Sequence, residues 1–208
     1  NTLYPARCYL FDQVDLRINE YVSNLLELAM DEARLVQKSY FRQYGTTLRG
    51  LMVDHGVDPH HYMDYVHDID LAPIDAAPDL NDILGRLPGR KLIFTNGSVR
   101  HAETVTGRLG IEHHFEAIFD IAAAEFVPKP ALEPYHLLVS AHGIDPRATV
   151  FFDDMDSNLE PAAALGMTTV WVPGHKAWSG TGDGDHVHHV AEDLGAFLEL
   201  ALEGRPGD

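Results

Sequence analysis

The chain has 208 residues, which is enough for one well-packed domain or for a domain with a sizeable insertion. Its 45% hydrophobic and 23% charged residues are typical of a folded globular protein and argue against disorder. Acidic residues outnumber basic ones by 32 to 15, and the net charge of −17 repels nucleic-acid backbones and anionic membranes. A small anionic ligand stays compatible with this charge, because one or two cations can reverse the local field.

The sequence carries no signal for secretion or for a membrane. Cys8 is the only cysteine, so no internal disulfide is possible, and a buried inert thiol is the simplest interpretation. No apolar run approaches the roughly 20 residues of a membrane-spanning helix. The first residues lack the basic-then-apolar pattern of a signal peptide. We therefore predict a cytoplasmic protein without membrane or nucleic-acid partners, and the sequence does not indicate an oligomeric state.

Helical periodicity dominates residues 15–70. Apolar residues recur at spacings of three and four in the first segment, at Ile18, Tyr21, Val22, Leu25, Leu26 and Ala29. A second helix is predicted over 32–44, with Gly45 as its stop. Thr47 is predicted to cap a short helix that ends at Gly56, and Asp58-Pro59 is predicted to begin another.

From residue 71 onward, short apolar strands alternate with helices. Strands are predicted over 91–94, 117–122, 149–152 and 168–172, and helices over 99–109, 134–142, 159–165 and 191–202. Short apolar strands that are each followed by a helix predict a parallel sheet covered on both faces. Ligands of such sheets lie at the C-terminal ends of the strands, so functional residues are expected there.

The first of these strands turns into a helix at Thr95-Asn96-Gly97-Ser98. A hydroxyl and free backbone N–H groups at such a turn suit phosphate oxygens. The same residues are also ordinary turn and helix-capping chemistry, and by themselves they favour that interpretation.

Lys129 follows the next strand and lies between Pro128 and Pro130. Prolines on both sides stiffen the backbone and limit where the ammonium group can point. A fixed cation there can offset charge on a phosphoryl group in a transition state. A solvated loop lysine is the more ordinary interpretation of this residue alone.

Asp153 and Asp154 end the third strand, and Asn158 follows four residues later. Two adjacent carboxylates repel each other, so a cation is physically motivated, and hard oxygen ligands suit magnesium. A solvated turn that caps the next helix is the alternative. Polar groups of this kind follow three successive strands. Together they indicate a phosphate-binding site far more specifically than each does alone.

Thr95-Asn96, Lys129-Pro130 and Asp153-Asp154 resemble the second, third and fourth motifs of the haloacid dehalogenase superfamily. Other segments resemble its pyrimidine 5′-nucleotidase branch, namely Leu3-Tyr4-Pro5, Tyr44-Gly45-Thr46-Thr47-Leu48, Gly50-Leu51 and Val66-His67-Asp68-Ile69-Asp70. In the family, the first motif is Asp-x-Asp-x-Thr/Val at the end of the first strand, ahead of the other three. No such motif precedes Thr95 in this sequence as the end of a strand, but residues 1–5 resemble the segment directly after that motif in the family. We expect roughly ten or more residues upstream of Asn1, because losing a central strand would leave buried backbone groups unpaired.

The resemblance implies an α/β fold with a Rossmann-like parallel sheet core over 1–14 and 71–208, and an all-helical cap over 15–70 that closes over the site. It implies a magnesium-dependent phosphomonoester hydrolase that acts through a phospho-aspartate. Nucleoside 5′-monophosphates, pyrimidine ones preferred, are the implied substrates. Two alternatives remain open: a haloacid dehalogenase, which needs a single first-motif aspartate and no metal, and a non-catalytic binding module.

The resemblance also implies residue roles. Thr95, Asn96 and Gly97 would bind phosphoryl oxygens, and Lys129 would bridge the nucleophile and the phosphoryl group. Asp154 would coordinate Mg²⁺, with Asp153 as a direct or water-mediated partner. Met155 stands where relatives often have Ser, and Asn158 where many carry an acid.

The insert adds further candidates. The residues expected to face the substrate are Tyr44, Thr46, Thr47 and Arg49, although the two threonines also fit simple helix capping. Structural hinge contacts are predicted for His67, Asp68 and Asp70. A zinc pair formed by His186 and His188 is a less favoured hypothesis than an exposed strand edge, because the spacing fits no common ligand pattern.

Overall fold

A parallel β-sheet in two parts underlies the computed structural model, which describes residues 2–174 and 179–204. In one part β1 pairs with β2, and in the other β4 lies between β3 and β5, with every pairing parallel. The strands are β1 (Leu92–Phe94), β2 (Ala117–Phe119), β3 (Val150–Asp153), β4 (Thr168–Trp171) and β5 (His189–Val190). The predicted α/β class with a Rossmann-like parallel core is confirmed.

Four consecutive α-helices make up most of residues 10–66. They are α1 (Leu10–Leu26), α2 (Met30–Tyr44), α3 (Thr47–His55) and α4 (Pro59–Val66). Helices α2 and α3 end at Gly45 and Gly56, whose φ values of 81° and 64° lie in the left-handed region. Glycine adopts that conformation without the penalty that a Cβ would bring, so both predicted stops follow from local sequence.

The start of α3 differs from the prediction. Thr46, and not Thr47, is the N-cap, because its hydroxyl accepts a hydrogen bond from the Arg49 backbone N–H at 3.1 Å. Thr47 is the first helical residue and is buried, and its hydroxyl donates to the Gln37 carbonyl oxygen at 3.2 Å. The two neighbouring hydroxyls are chemically alike, so only the packing of α3 against α2 separates their roles.

The helical insert has a hydrophobic core of its own. Its buried side chains are Val22, Ala33, Leu48, Leu51, Tyr62, Met63 and Val66. Ile121, which follows β2, joins this cluster, and Phe126 packs against it. Burial of one large apolar side chain contributes about 1.5–3 kcal/mol, so these two residues fasten the insert to the sheet domain. Leu10 belongs to the sheet-domain core, so α1 crosses the predicted boundary at residue 15 without a break.

The helices that follow alternate with the strands. They are α5 (Pro78–Arg86), α6 (Val99–Leu109), α7 (Glu133–His142), α8 (Leu159–Ala164) and α9 (Leu194–Leu202). The second strand ends at Phe119, three residues earlier than predicted, because the Asp120 carboxylate accepts from the backbone N–H of Val99 and of Ala123 and starts a tight turn. Within residues 2–174 and 179–204, no helix is long and apolar enough to cross a bilayer.

A cavity of about 1640 Å³ runs from the insert into the sheet domain, and both β1 and β3 line it. Within residues 2–174 and 179–204, β1 is paired on the β2 side only and β3 on the β4 side only. Backbone groups of interior strands normally pair on both sides. The C-terminal ends of β1 and β3 therefore border one shared space.

Candidate active site

The turn between β1 and α6 presents polar groups at the start of a helix. The Gly97 backbone N–H donates to the Thr95 hydroxyl at 2.9 Å. Ser98 is the N-cap of α6, and its hydroxyl accepts from the His101 backbone N–H at 3.3 Å. Because the first backbone N–H groups of a helix lack internal partners and carry partial positive charge, this turn can bind an oxyanion.

Asn96 links this turn to the loop after β2. Its side-chain oxygen accepts from the Lys129 backbone N–H at 2.9 Å, and its side-chain nitrogen donates to the Lys129 carbonyl oxygen at 3.2 Å. The sequence suggested only backbone contacts for Asn96. Two hydrogen bonds from one amide fix the Lys129 backbone relative to the end of β1.

The Lys129 ammonium group crosses the space between the strands. Only 7% of Lys129 is exposed, and its Nζ donates to the Phe94 carbonyl oxygen at 2.9 Å and to Asp153 Oδ2 at 2.6 Å. The same nitrogen lies 4.7 Å from the centre of the Phe94 ring and 5.5 Å from that of Phe151. Two ring faces and two oxygen acceptors hold a buried cation at the C-terminal ends of β1 and β3.

Asp153 positions the lysine. Its Oδ1 accepts from the Met155 backbone N–H and from Asn158 Nδ2, each at 2.9 Å, and its Oδ2 accepts from Lys129. The contact at position 155 is made by the backbone N–H. It therefore forms with Met155 as it would with the Ser that relatives often have there. The Tyr135 hydroxyl donates to the Asn158 carbonyl oxygen at 2.6 Å, and burial followed by the charge of Asp153 raises the pKa of Tyr135. Asp153 thus acts as the centre of a buried hydrogen-bond network.

Asp154, the next residue along the chain, also lines the cavity. The Trp171 indole N–H donates to its carbonyl oxygen at 3.2 Å, and the Thr2 hydroxyl donates to its Oδ1 at 3.4 Å. Burial, followed by the charge of Asp154, raises the pKa of Tyr4. The N-terminal segment therefore packs against this carboxylate.

The carboxylates of Asp153 and Asp154 are the oxygen donors that Mg²⁺ prefers. Among the residues that the structure describes, no cluster of three or more metal-ligating side chains is present. The donor chemistry therefore fits a magnesium ion, but the carboxylates of these two residues are too few to complete its coordination.

The structure brings the predicted strand-end residues into one cavity. Those that line it are Thr95, Asn96, Gly97, Lys129, Asp153 and Asp154. Of the insert candidates, Thr46 and Thr47 also line the cavity. The Tyr44 hydroxyl instead donates to Asp54 at 3.2 Å, and neither Tyr44 nor Arg49 is among the lining residues of the described chain.

Two histidines that the sequence did not assign to the site lie beside this turn. The rings of His67 and His101 stack with their centres 4.2 Å apart and their planes at 15°. His67 Nδ1 is 3.1 Å from the Ser98 hydroxyl oxygen. Burial lowers the pKa of His67 to about 3 and that of His101 to about 4. His67 follows the last turn of α4 and His101 lies in α6, 34 residues later, so no periodic signal in the sequence would pair them.

The zinc pair of His186 and His188 finds no third ligand in the described ranges. His188 Nδ1 instead accepts from the Thr169 backbone N–H at 3.0 Å, and Thr169 is fully buried in β4. These contacts attach the segment before β5 to the sheet.

Known proteins resemble this chain over most of its length. A family model described as haloacid dehalogenase-like hydrolase matches residues 6–166. Phosphate metabolism protein 8 of Saccharomyces cerevisiae is 28% identical over an alignment of 187 residues, and the match covers 80% of this chain and 57% of that protein. Fructose-1-phosphate phosphatase YqaB of Escherichia coli is 30% identical over an alignment of 122 residues, and the match covers 55% of this chain and 63% of that protein. The chain thus spans about three fifths of the length of these curated relatives.

A solved structure shares the fold. The crystal structure of a HAD phosphatase from Thermococcus onnurineus superimposes with a TM-score of 0.62 at 16% identity, covering 100% of this chain and 96% of that chain. The matched family model includes the strand ends that carry Thr95, Lys129 and Asp153. The chain therefore belongs to the haloacid dehalogenase-like hydrolases.

Proposed function

We propose that the protein is a magnesium-dependent phosphomonoester hydrolase. The observation that carries the proposal is the Lys129–Asp153 pair at 2.6 Å, held in the same cavity as the helix-start turn at Thr95. A buried cation and a cluster of N–H and hydroxyl donors that line one space suit a phosphoryl group, whose charge is spread over several oxygens.

Each side chain has a proposed task. The Thr95 hydroxyl and the backbone N–H groups of Asn96 and Gly97 bind phosphoryl oxygens. Lys129 offsets negative charge on the phosphoryl group, and Asp153 fixes the direction of its ammonium group. A preorganised cation such as Lys129 lowers the barrier because it needs no rearrangement when charge develops.

Magnesium would be held at Asp154, with Asp153 as its direct or water-mediated partner. When bound, the ion supplies positive charge that aligns the phosphate for attack. The incomplete ligand set of the two aspartates requires further oxygen donors.

The nucleophile is proposed to come from an Asp-x-Asp segment that is not among the 208 residues. The two-part sheet supports this proposal, because within the described ranges β1 and β3 each have a strand partner on one side, and both strands border the cavity. A parallel strand between them would pair both edges and would deliver its C-terminal residues beside Lys129. The first aspartate would attack phosphorus, and the second would protonate the leaving oxygen and later activate water.

Small phosphate esters are the proposed substrates, with pyrimidine nucleoside 5′-monophosphates first. The insert motifs around Thr46 and His67 favour nucleotides. The resemblance to a fructose-1-phosphate phosphatase favours sugar phosphates as the second class. Thr46 and Thr47 are proposed to contact the leaving group, because they line the cavity from the insert side.

The test is hydrolysis of p-nitrophenyl phosphate by the full-length protein in Mg²⁺ and in EDTA, followed by a panel of UMP, CMP, AMP and fructose 1-phosphate. We expect activity in Mg²⁺ only. Asp154→Ala should lower it at least about 10³-fold, because the metal contributes several kcal/mol to the transition state. Asp75→Ala, at an exposed position in the loop before α5 that does not line the cavity, is the matched control.

Full activity of Asp154→Ala would overturn the metal assignment. The genomic sequence upstream of Asn1 separates the remaining alternatives. Asp-x-Asp supports the phosphatase, a single aspartate supports the dehalogenase, and neither supports a binding module.

A further inference from the structure

The side chain of His67 connects the insert to the turn over residues 95–98. This residue follows the last turn of α4, and its Nδ1 is 3.1 Å from the Ser98 hydroxyl oxygen. Ser98 in turn caps α6 by accepting from the His101 backbone N–H. His67 is therefore one hydrogen bond away from the residue that sets the start of α6.

The imidazole rings also border the space above Gly97. A methyl group added to Gly97 would lie 3.2 Å from Thr95 Oγ1 and 3.6 Å from a carbon of each ring, those of His67 and His101. The Thr95 hydroxyl and both rings thus converge on one point beside the turn. Only a residue without a Cβ leaves that point open to a ligand.

We propose that His67 is a positioning residue, through which the helical insert holds the turn over residues 95–98 in its phosphate-binding conformation. The proposal rests on the proposed phosphatase function. The hydrogen bond to Ser98 fixes the turn, and the stack on His101 fixes the His67 ring. The insert and the sheet domain are thereby coupled at the place where the phosphoryl group binds.

The environment of the rings agrees with this role. Two stacked imidazoles tolerate close contact when both are neutral, and burial lowers the pKa of both. A neutral His67 offers one ring nitrogen as an acceptor, which the Ser98 hydroxyl can satisfy. The Arg100–Asp64 ion pair at 3.6 Å adds a second, exposed contact between α6 and α4.

Two substitutions separate the hydrogen bond from the stack. His67→Phe keeps an aromatic ring against His101 and removes Nδ1. His67→Gln loses the ring and keeps a polar group for Ser98. His113→Ala, at an exposed histidine remote from the turn, is the matched control. The readouts are kcat, KM and the inhibition constant of inorganic phosphate for the full-length protein in Mg²⁺, with the melting temperature of each variant.

For His67→Phe we expect the phosphate inhibition constant and KM to rise about fivefold to tenfold, as for one lost buried hydrogen bond. The change in kcat should stay within about twofold, because the turn binds the phosphoryl group in ground state and transition state alike. His67→Gln should recover part of the affinity. Combined with Ser98→Ala, His67→Phe should add less than it does alone, because both changes remove the same bond.

Phosphate inhibition within about twofold of wild type for His67→Phe, in an enzyme that turns over normally, would overturn the inference and leave the phosphatase proposal intact. If His67→Phe does not fold, Ser98→Ala and His67→Gln decide the question, since unchanged phosphate affinity in both would equally overturn the inference. A wild-type protein that neither hydrolyses phosphate esters nor binds phosphate would refute the proposed function, and the inference with it.

Discussion

Two groups of residues that line the cavity offer different chemistry to the proposed phosphate ligand. The side of β3 uses charge: Lys129 and Asp153 are 7% and 3% exposed and lie 2.6 Å apart. The side of β1 uses neutral donors at a helix start, supported by His67 and His101 from two different helices. The charged side provides the positive charge that attracts a phosphoryl group, whereas the neutral side determines where its oxygens are held. Changes to the charged side should therefore cost most, and changes to the neutral side should cost less and depend on pH.

The largest effect is expected for Lys129→Met. It leaves the Asp153 carboxylate buried without its cation, and loss of one partner of a buried pair costs about 3–5 kcal/mol. Urea unfolding measures the loss, and Asp153→Asn in the same background should recover part of it. Arg90→Met, which breaks the exposed pair with Glu116, should change stability far less. Equal losses for the two variants would show that the β3 side does not depend on a buried charge.

The next effect is a pH dependence on the β1 side. Burial lowers the pKa of His67 to about 3 and of His101 to about 4, from an ordinary value of 6.5. Below pH 6.5 the unfolded chain takes up protons that the folded protein does not, so stability present above pH 6.5 is lost as the pH falls towards 4. Between pH 7 and pH 5 we expect a loss of about 1 to 2 kcal/mol per histidine.

Urea unfolding of wild type and of the double variant His67→Gln/His101→Gln at both pH values measures this term. The double variant should lose less stability on acidification, and the exposed His113→Gln should behave like wild type. The same acid loss in wild type and in the double variant would mean that the stacked pair is not held neutral by the fold.

The smallest effect concerns the link between the two sides. Asn96→Ala removes both hydrogen bonds to the Lys129 main chain and should lower the free energy of unfolding by about 1–2 kcal/mol. Asn96→Asp keeps the acceptor for the Lys129 N–H and should fall between wild type and Asn96→Ala. An Asn96→Ala protein as stable as wild type would show that each side is held independently.

The sequence by itself determined most of the elements and the strand-end residues. Helix α6 runs over Val99–Leu109, as predicted, because Ser98 can cap its start and Gly110 its end, and both are local signals. Strand β3 ends at Asp153, where two carboxylates follow the apolar residues 150–152, and this change of polarity is also a local signal. Parallel strands bring their C-terminal ends together, so Thr95, Lys129 and Asp154 could be placed at one edge of the sheet from the order of the strands alone.

Only the tertiary structure decided which of these groups touch. Asp153 accepts from Lys129, Asn158 and the Met155 main chain, and nothing in the sequence distinguishes this carboxylate from that of Asp154. The stack of His67 on His101 joins an insert helix to a sheet-domain helix, and contacts between distant segments leave no periodic pattern. Hydrophobic periodicity records which face of an element is buried. It does not record the partner against which that face packs, because many apolar surfaces satisfy the same pattern.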